Sequence, residues 1–239
     1  MLDTAEVKEI YKEIQKKIYY MIPEKWDKLY LYASITEKAF QMPIGELYFY
    51  YYPKSILKKN AVNVYEIPLK FNIDEKQYVN LVKNLYGSIK RLWEEYKKNN
   101  KKLWTNITIS IEDFKFKIEF NYETLENNEY NNYDRHIIWR YKYLGLDIKS
   151  LNRKERKIIE KYISNNNTNE KHLIETYEEP VYKKPVHNIL DYNKSKNDEK
   201  IELNVMEEFE TNVKHISNQI LSGFDIPNKG GENKLWKII

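Results

Sequence analysis

The segment "WTNITISIEDFKFKIEF" constrains the fold more than any other part of this 239-residue chain. Its apolar residues occupy alternate positions in two runs: Ile107, Ile109 and Ile111, and then Phe114, Phe116, Ile118 and Phe120. This period of two predicts a β-hairpin that turns at Glu112 and Asp113. One face of the hairpin is apolar and the other is polar, which is typical of an antiparallel sheet.

Two earlier segments also predict strands because they are rich in aromatic and β-branched residues. They are "KLYLYASIT" (Lys28 to Thr36) and "GELYFYYYPK" (Gly45 to Lys54). In the second segment, large side chains point alternately to both sides. We therefore expect both faces of this strand to be covered or in contact with another surface.

Apolar residues at spacings of three and four predict helices around these strands. A first helix carries an apolar stripe from Val7 to Met21 and ends before Pro23. A second helix is capped by Asp74, and its stripe consists of Tyr78, Leu81, Val82, Leu85, Ile89, Leu92, Trp93 and Tyr96. The segment "NRKERKIIEKYI" predicts a last helix, with a capping box formed by Asn152 and Glu155.

The order of these elements predicts an α+β fold. We expect a two-layer sandwich, in which an antiparallel sheet of about four to five strands has helices packed mainly on one face. Residues 1–164 form this domain, and residues 165–239 form a C-terminal extension that begins with the Asn-rich linker "SNNNTNE". We expect the extension to be partly helical, around Val205 to Leu221, and partly flexible, with no function assigned by its sequence.

Composition excludes several classes of protein. The chain has no cysteine, which excludes disulfides, thiolate catalysis and cysteine-bound zinc. No segment approaches the ~20 apolar residues of a membrane helix, and the N-terminus does not resemble a signal peptide. We therefore expect a cytoplasmic protein. The formal net charge of +4 divides into +7 for residues 1–164 and −3 for residues 165–239.

Catalytic motifs are missing from the sequence. The four histidines, His136, His172, His187 and His215, do not have metal-ligand spacing, and no phosphate-binding glycine loop or nucleophilic serine motif is present. We therefore expect neither an enzyme nor a cofactor or metal site, but a binding protein. One alternative is a nucleic-acid-binding regulator that uses the basic, tyrosine-rich body, although no run of Lys or Arg exceeds two residues.

Six segments follow one another along the chain: "MIPEKWDKLYLYASI", "LYFYYYPK", "IPLKFNIDEKQYVNLVKNLY", "LWTNITISIE", "KFKIEFNYETL" and "RHIIWRYKYLGL". Their most specific features are the "IPEKW" junction, the "NIDE" helix start and the run Arg-x-x-x-Trp-x-Tyr-x-x-Leu-Gly. In this order the segments resemble the YezG-type immunity proteins, which are antitoxins that neutralise secreted nuclease toxins of bacterial type VII secretion systems. The resemblance extends from the first helix to about Ile163 and does not include the extension.

The resemblance implies a cytoplasmic inhibitor that binds the nuclease domain of its cognate toxin and has no catalytic residues. The chain departs from the family after the Leu-Gly pair, where a proline is usual and this sequence reads Leu146-Asp147-Ile148-Lys149. This departure affects the turn into the last helix.

One acidic run suggests where such an inhibitor contacts a nuclease. No Lys or Arg occurs from Phe120 to Asp134, although the rest of the body is basic. Carboxylates can occupy a site that binds phosphates. We expect the toxin to contact residues of this run and the helix that follows it: Glu123, Glu126, Glu129, Tyr122, Tyr130, Arg135 and Trp139. The alternative is an ordinary solvated loop and helix start, where acidic residues suit the helix dipole.

The segment "YDRHIIWRYKYLGL" predicts a helix that ends at Gly145. Its helical wheel places Tyr133, Ile137, Tyr141 and Leu144 on one side, which we expect to be the core side. Arg135 and Trp139 fall on the opposite side, one turn apart, where they can stack as a cation–π pair. We expect Trp139 to be covered by the last helix or the C-terminal extension, or else to contact the toxin.

Overall fold

The computed structural model describes residues 2–37, 43–54, 60–125, 129–166, 174–181, 188–190 and 237–238. Two 3₁₀ turns are present, Val64–Glu66 and Ile148–Ser150. The α-helices are α1 (Ala5–Met21), α2 (Ile67–Phe71), α3 (Glu75–Lys98), α4 (Asn132–Leu144) and α5 (Arg153–Asn166). The strands are β1 (Trp26–Ser34), β2 (Thr36–Glu37), β3 (Pro43–Pro53), β4 (Val62–Asn63), β5 (Asn106–Glu112), β6 (Lys115–Asn121), β7 (Ile174–Pro180) and β8 (Lys237–Ile238). The α+β prediction is confirmed.

The strands form an antiparallel sheet in the order β2-β3-β1-β5-β6-β7, and the short strands β4 and β8 also pair with β3. The two predicted tyrosine-rich strands are β1 and β3, which pair Leu31 with Phe49. The predicted hairpin is formed by β5 and β6, which pair Ile109 with Ile118. The sheet has more strands than the four to five expected because β7 and several two-residue strands extend it.

Helices α1 and α3 cover the first face of the sheet and enclose the main core. Leu31, Phe49, Ile109 and Ile118 point to this face and are fully buried. The predicted apolar stripe of α3 is buried along its whole length. The helix begins where the sequence predicts, since the Asp74 side chain accepts a hydrogen bond from the Gln77 amide at 2.7 Å.

Helix α4 covers the second face of the sheet, so both faces of β3 are covered as predicted. Tyr32, Tyr48 and Tyr50 point to this face and form a separate buried cluster with Trp139 of α4. The other side of α4 packs against α5 through a further cluster, whose buried members are Ile137, Ile138, Leu151 and Ile159. Gly145 ends α4 in the left-handed conformation, with a φ of 63°, as predicted.

The turn of the β5–β6 hairpin differs from its prediction. Glu112 pairs with Lys115, so the two turn residues are Asp113 and Phe114. Both have positive φ, 50° and 60°. Phe114 was expected on the apolar face of the strand, but its side chain is 82% exposed. The strand alternation begins at Phe116, because a two-residue turn takes up Phe114.

Part of the C-terminal extension belongs to the same sheet. All seven residues of β7 pair with β6, and Tyr177 of β7 packs against Tyr11 of α1 with ring centroids 4.5 Å apart. Farther along, Ile189 is fully buried in the main core. The helix predicted around Val205 to Leu221 lies outside the described residues. The predicted domain boundary at residue 164 stays a prediction.

Among the described residues, no helix is both long and apolar enough to span a membrane.

Candidate functional site

The acidic segment between β6 and α4 is tied to the end of the sheet. The Asn106 side chain donates a hydrogen bond to Glu123 Oε1 at 2.8 Å, and the Thr105 hydroxyl donates to the Glu123 carbonyl at 2.7 Å. Glu123 is half-buried. Glu126 lies outside the described residues. The side chain of Glu123 is therefore partly committed to a contact within the protein.

Glu129 and Tyr130 lie at the surface beside the end of α5. Lys161 Nζ is 2.8 Å from Glu129 Oε1, and the Asn165 side-chain amide donates to Glu129 Oε2 at 2.7 Å and to the Tyr130 hydroxyl at 3.2 Å. The hydrogen bond with Glu129 raises the pKa of Lys161. Both side chains of this ion pair are about half-exposed, so solvent screens it and the Glu129 carboxylate stays accessible at the surface.

Arg135 holds the start of α4 against the second face of the sheet. Its guanidinium donates to the Tyr130 carbonyl at 2.8 Å and to the Asn132 side chain, and lies 3.8 Å from the carboxylate of Glu46. Only 14% of the Arg135 side chain is exposed. A buried pair of this kind fixes geometry, because removing one partner would leave the other charge uncompensated.

Trp139 is buried under α4, and its predicted orientation is wrong. Its side chain is 5% exposed, and its indole N–H donates to the Thr108 hydroxyl of β5 at 3.0 Å. The ring lies 6.0 Å from Tyr50, and the predicted stacking partner Arg135 makes other contacts. The sheet itself covers Trp139, through the rings of Tyr32, Tyr48 and Tyr50. The helical wheel failed because both sides of α4 are apolar, one toward the sheet and one toward α5.

His136 is a buried residue to which the sequence assigned no role. Its Nε2 lies 2.9 Å from the Tyr50 hydroxyl, and its ring packs 4.1 Å from that of Tyr48. Burial, together with the charge of Arg140, lowers the pKa of His136 to about 3. Burial also raises the pKa of Tyr50 to about 12. The histidine is therefore a neutral structural side chain and not an acid–base catalyst at neutral pH.

Tyr122 lies on the first face of the sheet, away from the other predicted contact residues. Its ring packs against the main core, and Lys102 Nζ lies 4.9 Å from the ring centroid. The structure therefore brings Glu129, Tyr130 and Arg135 together and places Glu123 at the same end of the sheet. It does not bring Tyr122 to that surface, and it buries Trp139 beneath it.

Comparison with known proteins identifies the family. The chain matches the family described as immunity protein YezG-like over residues 7–159, which is more than half of its length. The chain belongs to the YezG-like immunity protein family. The matched residues run from α1 into α5, whereas β7 lies beyond them. The family resemblance predicted from the sequence is confirmed.

Three relatives show how far this similarity extends. The chain is 36% identical over 167 residues to immunity protein YezG of Bacillus spizizenii, which covers 69% of this chain and 98% of the relative. It is 27% identical over 141 residues to immunity protein YezG of Bacillus subtilis, covering 59% and 89%. It is 27% identical over 143 residues to type VII secretion system protein EsaG of Staphylococcus aureus, covering 59% and 83%.

Membership of the YezG-like family answers whether this chain is an enzyme. The matched family consists of immunity proteins, which are not enzymes, so the prediction that this chain is not an enzyme is confirmed. In the part of the chain that the structure describes, no three His, Asp or Glu residues form a group that could hold a metal ion.

Proposed function

We propose that this YezG-like protein neutralises a cognate secreted nuclease toxin in the cytoplasm of the producing cell, by binding the nuclease domain and covering its active site. The observation that carries the proposal is the family match over residues 7–159, together with a relative that is 98% covered and named an immunity protein. One relative is named a type VII secretion system protein, and this name supports the proposal that the toxin is secreted by a type VII system.

The proposed contact surface is the acidic segment that precedes α4. Its members are Glu123, Glu126, Glu129 and Tyr130. Arg135 and Trp139 support this surface from below, because their side chains are buried against the sheet. The carboxylates of this segment suit a nuclease site, which is built to bind phosphates.

Co-expression tests the function directly. We expect the gene of the cognate toxin to lie beside the gene of this chain. Cells that express that toxin should stop growing, and the full-length protein should restore their growth. A toxin that remains lethal despite a folded, abundant protein would contradict the proposal. Substituting Glu123, Glu126 and Glu129 together by lysine should weaken rescue. The matched control substitutes Glu6, Glu9 and Glu94 together by lysine, since these glutamates are exposed on α1 and α3, on the other side of the sheet.

The alternative, a nucleic-acid-binding regulator, loses one of its two supports. It relied on the net charge of +7 in residues 1–164 and on tyrosine rings for base stacking. Tyr32, Tyr48 and Tyr50 are instead buried beneath α4, and Tyr51 is buried in the main core. A gel-shift across a salt series checks this, because phosphate-driven binding weakens steeply as salt increases. We expect no salt-sensitive shift.

A further inference from the structure

The tip of the β5–β6 hairpin combines two unfavourable features in one residue. Phe114 has a φ of 60°, in the left-handed region where glycine or asparagine is usual. Its side chain is also 82% exposed, so the ring gains little from burial. Local geometry and solvation both disfavour phenylalanine at this position. The folded chain alone therefore gives no reason for an aromatic ring there.

The hydrogen bond that joins Phe114 to the end of β7 belongs to its backbone. The Phe114 carbonyl accepts a hydrogen bond from the Val181 amide at 2.9 Å, where β7 ends. Any residue that tolerates positive φ would provide the same carbonyl. The side chain is therefore free to serve another purpose.

Paired charges flank the ring. Lys28 lies 3.4 Å from Glu112 on one side of the turn, and Lys115 lies 2.9 Å from Glu178 on the other. The Tyr30 hydroxyl also donates to Glu112 at 3.0 Å. A projecting aromatic ring inside a polar rim is the usual arrangement of an interface anchor.

We propose that Phe114 is an aromatic anchor that inserts into an apolar pocket of the cognate toxin. The inference rests on the proposed function and adds a residue that the acidic segment does not include. The partner is the toxin because the hairpin lies within residues 7–159, the part of the chain that matches the immunity family. Strain kept at an exposed position is typical of binding sites, where the partner supplies the compensating contact.

The anchor and the acidic segment lie at opposite ends of β6. The strand has seven residues, which span about 23 Å at ~3.3 Å per residue. An interface of about 800 Å² on each partner is about 30 Å across. One toxin domain is therefore large enough to contact both ends, and each end can be tested separately.

The test compares Phe114→Asn with the wild-type full-length chain. Asparagine tolerates the left-handed conformation, so the melting temperature should stay the same or rise. Affinity should fall at least tenfold, measured by calorimetry with a catalytically inactivated nuclease domain of the toxin encoded beside the gene. Opposite effects on stability and binding separate an anchor from a structural residue. Phe114→Tyr should retain most of the affinity.

Leu69→Gln is the matched control because Leu69 is a large apolar residue that is 92% exposed on α2. Its affinity should stay within twofold of the wild type. Phe114→Asn binding that stays within twofold of the wild type would overturn this inference and leave the proposed function intact. A wild-type chain that does not bind the toxin would overturn both.

Discussion

At the scale of single residues, Trp139 joins α4 to the sheet. Its indole N–H bonds to Thr108 of β5, and its ring packs among Tyr32, Tyr48 and Tyr50. Burial of a large aromatic ring is among the strongest single contributions to stability. The residue that looked like a contact for a partner therefore acts by fixing the helix that follows the proposed contact segment.

Trp139→Ala should lower the free energy of unfolding by about 3–5 kcal/mol, the cost of removing a buried aromatic side chain and leaving a cavity. Urea denaturation followed by circular dichroism measures the change. Lys142→Ala is the control, since Lys142 is exposed on the same helix and should change stability by less than about 0.5 kcal/mol. Equal effects of the two substitutions would show that Trp139 is not buried as described.

His136 should make the protein sensitive to acid. Its pKa is about 3 in the folded protein and 6.5 when unperturbed, so below pH 6.5 the unfolded chain takes up a proton that the folded chain does not. The stabilising contribution is therefore complete above pH 6.5 and is lost toward pH 3, by up to about 1.4 kcal/mol per pH unit. His136→Gln should have a lower free energy of unfolding at pH 7, and this free energy should depend less on pH than in the wild type. Urea denaturation at several pH values measures it. The same slope against pH in the two proteins would contradict this prediction.

At the scale of elements, the sequence correctly predicts the orientation of a strand or helix that has a single buried face. The alternation in β5 and β6 and the single stripe of α3 each have one buried face, so their orientation follows from the pattern. Helix α4 buries two faces, and its pattern cannot say which one meets the sheet. Strand β7, "IETYEEP", has too few apolar residues to predict pairing, because it lies at the sheet edge.

Strand β7 joins part of the extension to the sheet, and proline substitutions within β7 test this pairing. The bond from the Val181 amide to the Phe114 carbonyl sets the alternation of the ladder, so the Tyr177 amide points toward β6 and the Thr176 amide points away. Tyr177→Pro should lower the free energy of unfolding by at least ~2 kcal/mol, whereas Thr176→Pro should cost less than ~1 kcal/mol.

Tyr177→Ala isolates the loss of the ring from the loss of the ladder bond, since it keeps the amide. Hydrogen exchange should also show faster exchange of β6 amides in Tyr177→Pro than in Thr176→Pro. Equal exchange in the two proline variants would contradict the register of β7. The sequence alone placed the body within residues 1–164, whereas β7 pairs with β6 beyond that boundary, and hydrogen exchange tests this pairing.

At the scale of the whole molecule, the sheet has helices on both faces. Helices α1 and α3 cover the first face, while α4 covers the second and packs with its other side against α5. Family membership follows from residues 7–159. The contact surface is harder to predict from sequence, because a binding surface is defined by its partner as much as by its own residues.

The most direct measurement of the central claim is a titration of nuclease activity. Increasing amounts of the purified full-length chain are added to the nuclease domain of the toxin encoded beside its gene. The activity should fall linearly to zero at a one-to-one ratio, because a tight inhibitor that covers the active site leaves no free enzyme. Nuclease activity that persists at a large excess of folded protein would contradict the claim.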